Sequence, residues 1–172
     1  MSNTPGTVVN FLMKDARGCL CDFPRATIVL SAIALEAALY MKLSSGYKLI
    51  LDKFHKVTPD MLEGATLGKL IEYATKDKVS LFDPPNLFKA KEIWKTRNWI
   101  AHPTDRNLKW LAEKYFPDIL CGVESRSLSG ESFPREERFK ATVAVFCTTR
   151  INDLSKNILE DTEAVLKFLD YK

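Results

Sequence analysis

The amino-acid sequence predicts an all-α fold, a bundle of about four to six helices. Apolar residues recur at helical spacing, for example at positions 67, 70, 71 and 74. Helix start signals precede such segments, as in Asp22-Phe23-Pro24 and Asp83-Pro84-Pro85, where an aspartate can cap a helix and a proline can begin it. No stretch has the alternation of apolar and polar residues that is typical of a half-buried strand, so no sheet is predicted.

The helix boundaries follow from capping and breaking residues. The second predicted helix is almost wholly apolar and is expected to end at Ser44-Ser45-Gly46, because glycine commonly closes a helix. Thr66 is the predicted cap of a later helix. The predicted helices cover about residues 7–20, 24–45, 47–55, 67–74, 84–101 and 105–115, then about 134–169 as one long helix or two collinear ones, after a surface loop over about 122–132.

Composition predicts one soluble domain over residues 1–172. The chain is 46% hydrophobic, which is enough for one good core. Its formal charge of +3 is too small for bulk attraction to nucleic acid, so any such affinity needs a local basic patch. The four cysteines form no CxxC pair, and nothing indicates a zinc site, a disulfide framework or another cofactor. With no signal peptide at the N-terminus, we expect a cytoplasmic protein with reduced thiols.

The run from Ala26 to Leu43 approaches the length of a membrane span but carries Glu36 near its middle. We predict a buried central helix and no membrane contact. A buried carboxylate needs a partner, and Arg97 or Arg150 could form an ion pair with Glu36. Such a pair would have a structural role, or it would hold Arg97 in position for chemistry.

The segment Arg97-Asn98-Trp99-Ile100-Ala101-His102 places an imidazole five positions after a guanidinium at a predicted helix end. Pro103 disfavours helical geometry at His102, so the imidazole is expected at the mouth of a loop. Along the helix, Arg97 continues an apolar stripe that includes Trp94 and is expected to face inward. An arginine and a histidine together suit attack on a phosphodiester, whereas the alternative is an arginine held by a carboxylate and a histidine that caps its helix.

This segment resembles the hallmark of the HEPN superfamily, an arginine, often followed by a polar residue, with a histidine after four to six intervening positions. Arg97, Asn98 and His102 match it with four. The segments Ala34–Leu39 and Thr66–Glu72 also look like elements of bacterial HEPN proteins. The resemblance implies a HEPN-like helical bundle with an up-and-down core that pairs as a homodimer, with the two motifs in one cleft.

For function, the resemblance implies a metal-independent endoribonuclease of the toxin or phage-defence type. His102 would act as general base or acid, Arg97 would hold the phosphate, and Asn98 would orient the histidine or donate to a phosphate oxygen. The expected products carry a 2′,3′-cyclic phosphate and a free 5′-hydroxyl. Thr104 stands where a subgroup paired with nucleotidyltransferase antitoxins has tyrosine, so regulation by modification at that position is not expected.

Residues around the motif are candidate RNA contacts. Lys95, Arg106 and Lys109 could track phosphates, although scattered basic residues usually form a solvated face. Trp94 and Trp99 could stack on bases, although such residues more often belong to a core or a dimer interface. The main alternative to a nuclease is a non-catalytic HEPN module that binds a nucleotide or RNA or serves as an accessory subunit. A further alternative is a purely structural helical domain, and an antitoxin or another protein partner is possible.

Overall fold

The computed structural model describes residues 5–50, 59–76, 79–102, 113–115, 117 and 150–171. All regular secondary structure in these ranges is helical, which confirms the predicted all-α class. The predicted loop over 122–132 and most of the predicted helix over 105–115 lie outside the described residues, as does the segment 134–149. The helices are α1 (Pro5–Cys19), α2 (Pro24–Ile50), α3 (Pro59–Leu62), α4 (Leu67–Ala74), α5 (Pro84–Ala101) and α6 (Ile151–Phe168).

Helix α2 lies at the centre of the described fold and packs against α1, α4, α5 and α6. One side of α2, which includes Ile28, Leu35 and Leu39, joins a core with residues of α4, α5 and α6. The opposite side, which includes Ala34 and Ala38, joins a second core with α1 and α6. A helix that is covered on both sides needs apolar residues around most of its circumference, which explains the long apolar run.

The apolar run also meets a simple membrane criterion. Residues Pro24–Ser45 are long and apolar enough to cross a bilayer by length and composition, and 50% of that window is buried within the fold. The central position predicted for this helix is confirmed by its packing, since α2 contacts α1, α4, α5 and α6.

The predicted break at Gly46 is wrong, because α2 continues through it to Ile50. The hydroxyl of Ser44 donates to the carbonyl oxygen of Tyr40 at 2.6 Å, and that of Ser45 donates to Lys42 at 3.2 Å. Both serines therefore bond back along their own helix and do not cap a new one. A single glycine inside a helix costs only about 1 kcal/mol, which a long packed helix tolerates.

Helix α5 begins and ends as predicted. The carboxylate of Asp83 accepts a hydrogen bond from the backbone N–H of Asn86 at 2.9 Å, and two prolines occupy the first helical positions. The helix stops at Ala101, and His102 has φ −137° and ψ 78°, outside the helical region. Proline disfavours helical geometry at the residue before it, so Pro103 in the sequence accounts for the non-helical backbone of His102.

Candidate functional site

Asn98 connects the two ends of the predicted motif. Its side-chain oxygen accepts a hydrogen bond from Nη1 of Arg97 at 3.2 Å. Its backbone oxygen accepts the last helical hydrogen bond, from the N–H of His102, at 2.8 Å. Asn98 is half-buried and holds the Arg97 guanidinium, whereas its bond to the His102 N–H is the regular helical one that any residue at this position would make. The Asn98 side chain therefore positions the Arg97 guanidinium, whereas the roles expected for it, orienting the histidine or donating to a phosphate oxygen, stay predictions.

His102 is exposed at the C-terminus of α5. An exposed side chain at such a position can be reached by a ligand from solvent.

Arg97 is half-buried and lines an open cavity of about 590 Å³ between α1, α2, α4 and α5. The cavity walls are mostly apolar, and Glu36 and Arg97 are the charged side chains among the described residues that line it. Arg97 was expected on the inward stripe of α5, but the fully buried face of that helix is formed by residues such as Ala90, Ile93 and Thr96. Arg97 therefore lies at the edge of the buried face, where a charged group remains accessible.

Glu36 has a different partner from the one predicted. Its Oε2 atom accepts a hydrogen bond from the backbone N–H of Leu67, the first residue of α4, at 3.1 Å. Neither Arg97 nor Arg150 pairs with Glu36 among the described residues, so the expected ion pair is wrong. A helix N-terminus carries unpaired N–H groups and partial positive charge, and a carboxylate satisfies both.

Thr66 occupies the N-cap position of α4, as predicted, but its side chain makes no capping hydrogen bond. Glu36 takes over that function from a distant part of the chain. Glu36 and Arg97 line the same cavity, so a positioning effect of Glu36 on the site would act through α4 and the cavity and not through a direct bond.

The tryptophans and basic residues near the motif separate into different environments. Trp99 is only 4% exposed and belongs to the core, so it cannot stack on a base without rearrangement. Trp94 is half-buried, with its indole against the Cα of Gly68 in α4. Lys95 is exposed and lies 3.6 Å from the carboxylate of Glu92. It is on a face of α5 about 160° from that of Arg97. Arg106 and Lys109 lie outside the described residues.

A second polar cluster was not predicted from the sequence. Glu92 is buried at 5% exposure, forms an ion pair with Lys114 and accepts a hydrogen bond from the hydroxyl of Tyr115 at 3.0 Å. These groups border a smaller cavity of about 280 Å³ between α5 and α6. Burial raises the pKa of Tyr115 above its ordinary value of 10.0, which keeps its hydroxyl protonated as a donor.

The spacing of Glu92, Thr96 and Trp99 along α5 could have indicated that this carboxylate is buried, because positions i, i+4 and i+7 share one helix face. Its partners Lys114 and Tyr115 come from more than twenty residues away, as their separations of 22 and 23 show. A cation and a hydroxyl together compensate the charge and the hydrogen-bonding needs of a buried carboxylate, so a structural role accounts for this cluster.

Among the described residues, no group of three or more histidine, cysteine, aspartate or glutamate side chains is arranged to hold a metal ion. No known protein-family model, curated protein or solved structure matches the chain. The candidate site consists of Arg97 beside an open cavity, Asn98 as its hydrogen-bond acceptor, and exposed His102 at the helix end.

Proposed function

We propose that the protein is a metal-independent endoribonuclease whose site contains Arg97, Asn98 and His102. The observation that supports it best is the hydrogen bond from the Arg97 guanidinium to the side-chain oxygen of Asn98, which positions that guanidinium at the helix end that carries His102. The groups proposed to bind phosphate and to transfer protons share one helix end, where Arg97 is half-buried beside an open cavity and His102 is exposed. The resemblance of this segment to the HEPN hallmark points to the same chemistry.

In the proposed reaction, the imidazole of one His102 removes the proton from a ribose 2′-hydroxyl. The 2′-oxygen forms a bond to the adjacent phosphorus, and the bond from phosphorus to the 5′-oxygen breaks. The departing 5′-oxygen takes up a proton, which leaves a 2′,3′-cyclic phosphate and a 5′-hydroxyl. Arg97 binds the non-bridging phosphate oxygens and stabilises the negative charge that develops on them.

The chain carries one copy of the motif, and two protonation roles are needed, one for the base and one for the acid. A symmetric homodimer would bring two copies of His102 to one cleft and supply both. The proposed biological role is that of a toxin or phage-defence nuclease in the cytoplasm, with RNA as substrate and an antitoxin or another protein as a possible regulator.

The test uses purified protein, RNA and a chelator of divalent metals. Arg97→Ala and His102→Ala are compared with two matched controls, Arg25→Ala, which removes an exposed arginine of α2, and His55→Ala, which removes the chain's other histidine. The parent and both controls should cleave RNA, whereas Arg97→Ala and His102→Ala should lose at least about 100-fold in rate.

Three results would contradict the proposal, each in a different part. Cleavage that survives in His102→Ala would remove the histidine from the mechanism. RNA binding by the parent without any cleavage, and its loss in Arg97→Ala, would favour the non-catalytic binding module. Equal RNA binding by the parent and both site variants, again without cleavage, would rule out the Arg97–His102 site and assign RNA binding to another surface. Expression provides an independent readout, because the parent should slow the growth of a bacterial host and His102→Ala should not.

A further inference from the structure

The cavity beside Arg97 has the size and chemistry of a site for one nucleotide. Its volume of about 590 Å³ lies within the range of small-molecule sites, and it is open to solvent on one side. Apolar side chains form most of its lining and suit the flat faces of a nucleobase; they are Ile33, Ala37, Met41, Leu62 and Leu70. Tyr40 adds an aromatic ring, 43% exposed, on which a base can stack.

The polar groups of this cavity are asymmetric, with an acceptor on α2 and a donor on α5. The carboxylate of Glu36 uses its Oε2 atom for the N–H of Leu67, and its Oε1 atom has no hydrogen-bond partner among the described residues. A carboxylate has about four lone-pair positions, so both oxygens can still accept hydrogen bonds from a ligand. Arg97 lines the same cavity, and its hydrogen bond to Asn98 uses only one of its five N–H donors.

An accepting carboxylate discriminates among the four bases. Guanine presents two adjacent donors, N1–H and the N2 amino group, which match the two oxygens of a carboxylate. Adenine and cytosine each place a ring acceptor beside their amino group, and uracil places carbonyl oxygens on both sides of its single donor. A ring or carbonyl acceptor facing a carboxylate is repelled, so guanine is the base that this cavity favours.

From these observations we propose that the cavity is a guanine-recognition site, in which Glu36 binds the donor edge of the base and Tyr40 stacks on it. A second step rests on the proposed nuclease function. Arg97 would bind a phosphate of the nucleotide whose base occupies the cavity, so guanosine would determine where the RNA is cut. The protein then cleaves RNA next to a guanosine.

Calorimetry with mononucleotides tests the site without any need for cleavage. The parent should bind guanosine 3′-monophosphate about 10-fold to 100-fold more tightly than adenosine 3′-monophosphate, the usual discrimination of one bidentate contact. Inosine 3′-monophosphate, which keeps N1–H and lacks the amino group, should bind with intermediate affinity. Equal affinity for the guanine and adenine nucleotides, or no binding of either, would overturn the guanine site.

Glu36→Gln is the matched variant, because its amide oxygen can still accept the hydrogen bond from the N–H of Leu67. The side chain keeps nearly the same size, so the shape of the cavity at this position is retained. An amide offers one acceptor and one donor, so the preference for guanine should fall by about tenfold or more. The control is Glu72→Gln, which removes an exposed carboxylate of α4 that pairs with Lys69 and should leave the preference intact. An unchanged preference in Glu36→Gln would assign recognition to other groups and overturn the role of Glu36.

Mapping the cut sites of the parent on an RNA of known sequence separates the two proposals. Cuts that fall next to guanosines support both. Cuts that show no preference for any base overturn the guanine site and leave the nuclease standing. Selective binding of the guanine nucleotide without any RNA cleavage supports the guanine site and overturns the nuclease.

Discussion

The N-terminus of α4 should depend on Glu36 and not on Thr66, although sequence rules name the threonine as the cap. The Glu36→Ala variant removes the acceptor of the Leu67 N–H and a negative charge from the positive end of the helix. Loss of a capping acceptor costs about 0.5–2 kcal/mol, and the charge interaction with the helix end contributes about 0.3–1 kcal/mol. We expect Glu36→Ala to lower the free energy of unfolding by about 1–2.5 kcal/mol.

Thr66→Ala is the matched comparison, because the threonine side chain makes no capping hydrogen bond. Its replacement should change the free energy of unfolding by less than about 0.5 kcal/mol. Urea denaturation followed by circular dichroism measures both variants, and Glu36→Gln should fall between them since it keeps an acceptor and loses the charge. A Thr66→Ala variant that is destabilised as much as Glu36→Ala would refute the assignment of the cap.

Three further perturbations have defined outcomes. Gly68→Ala places a methyl group 2.8 Å from the indole of Trp94 and should destabilise the fold by about 1–2 kcal/mol in denaturation, whereas Gly18→Ala, with nothing within 4 Å of its added carbon, should be neutral or stabilising. Burial raises the pKa of Tyr171 above 10.0, so its stabilising contribution is complete below about pH 10 and is lost as the pH rises through the raised pKa. Tyr171→Phe should therefore melt with a weaker dependence on pH above about pH 10 than the parent. Asn98→Asp keeps an acceptor for the adjacent guanidinium and should retain more RNA cleavage than Asn98→Leu in the chelator assay. Equal loss in both variants would refute the positioning of Arg97 by Asn98.

The parts of the fold that were predictable from sequence are those that depend on neighbouring residues. Asp83 and the prolines after it determine the start of α5, and Pro103 determines its end. Each of these signals lies within a few residues of the boundary that it determines. The continuation of α2 through Gly46 was not predictable in this way, because the tertiary packing of a long helix outweighs a propensity cost of about 1 kcal/mol.

Features that depend on contacts between distant residues could not be obtained from local patterns. The cap of α4 comes from a residue 31 positions earlier, and no short-range rule connects Glu36 to Leu67. The buried carboxylate of Glu92 likewise has partners 22 and 23 positions later. The components of the candidate site were found because Arg97, Asn98 and His102 lie within one helix end, whereas the cavity beside Arg97 exists only once α1, α2 and α4 have packed together.

The most direct test of the proposed chemistry replaces one ribose of the RNA substrate. After the cut sites of the parent have been mapped, a 2′-deoxynucleotide is placed on the 5′ side of one scissile phosphate, and cleavage is followed in chelator with end-group analysis. If the 2′-hydroxyl is the nucleophile and His102 its base, cleavage stops at that position alone, the remaining fragments end in 2′,3′-cyclic phosphates, and His102→Ala cuts nowhere. Continued cleavage at the deoxynucleotide, or cleavage only after a divalent metal is added back, would contradict the proposed mechanism.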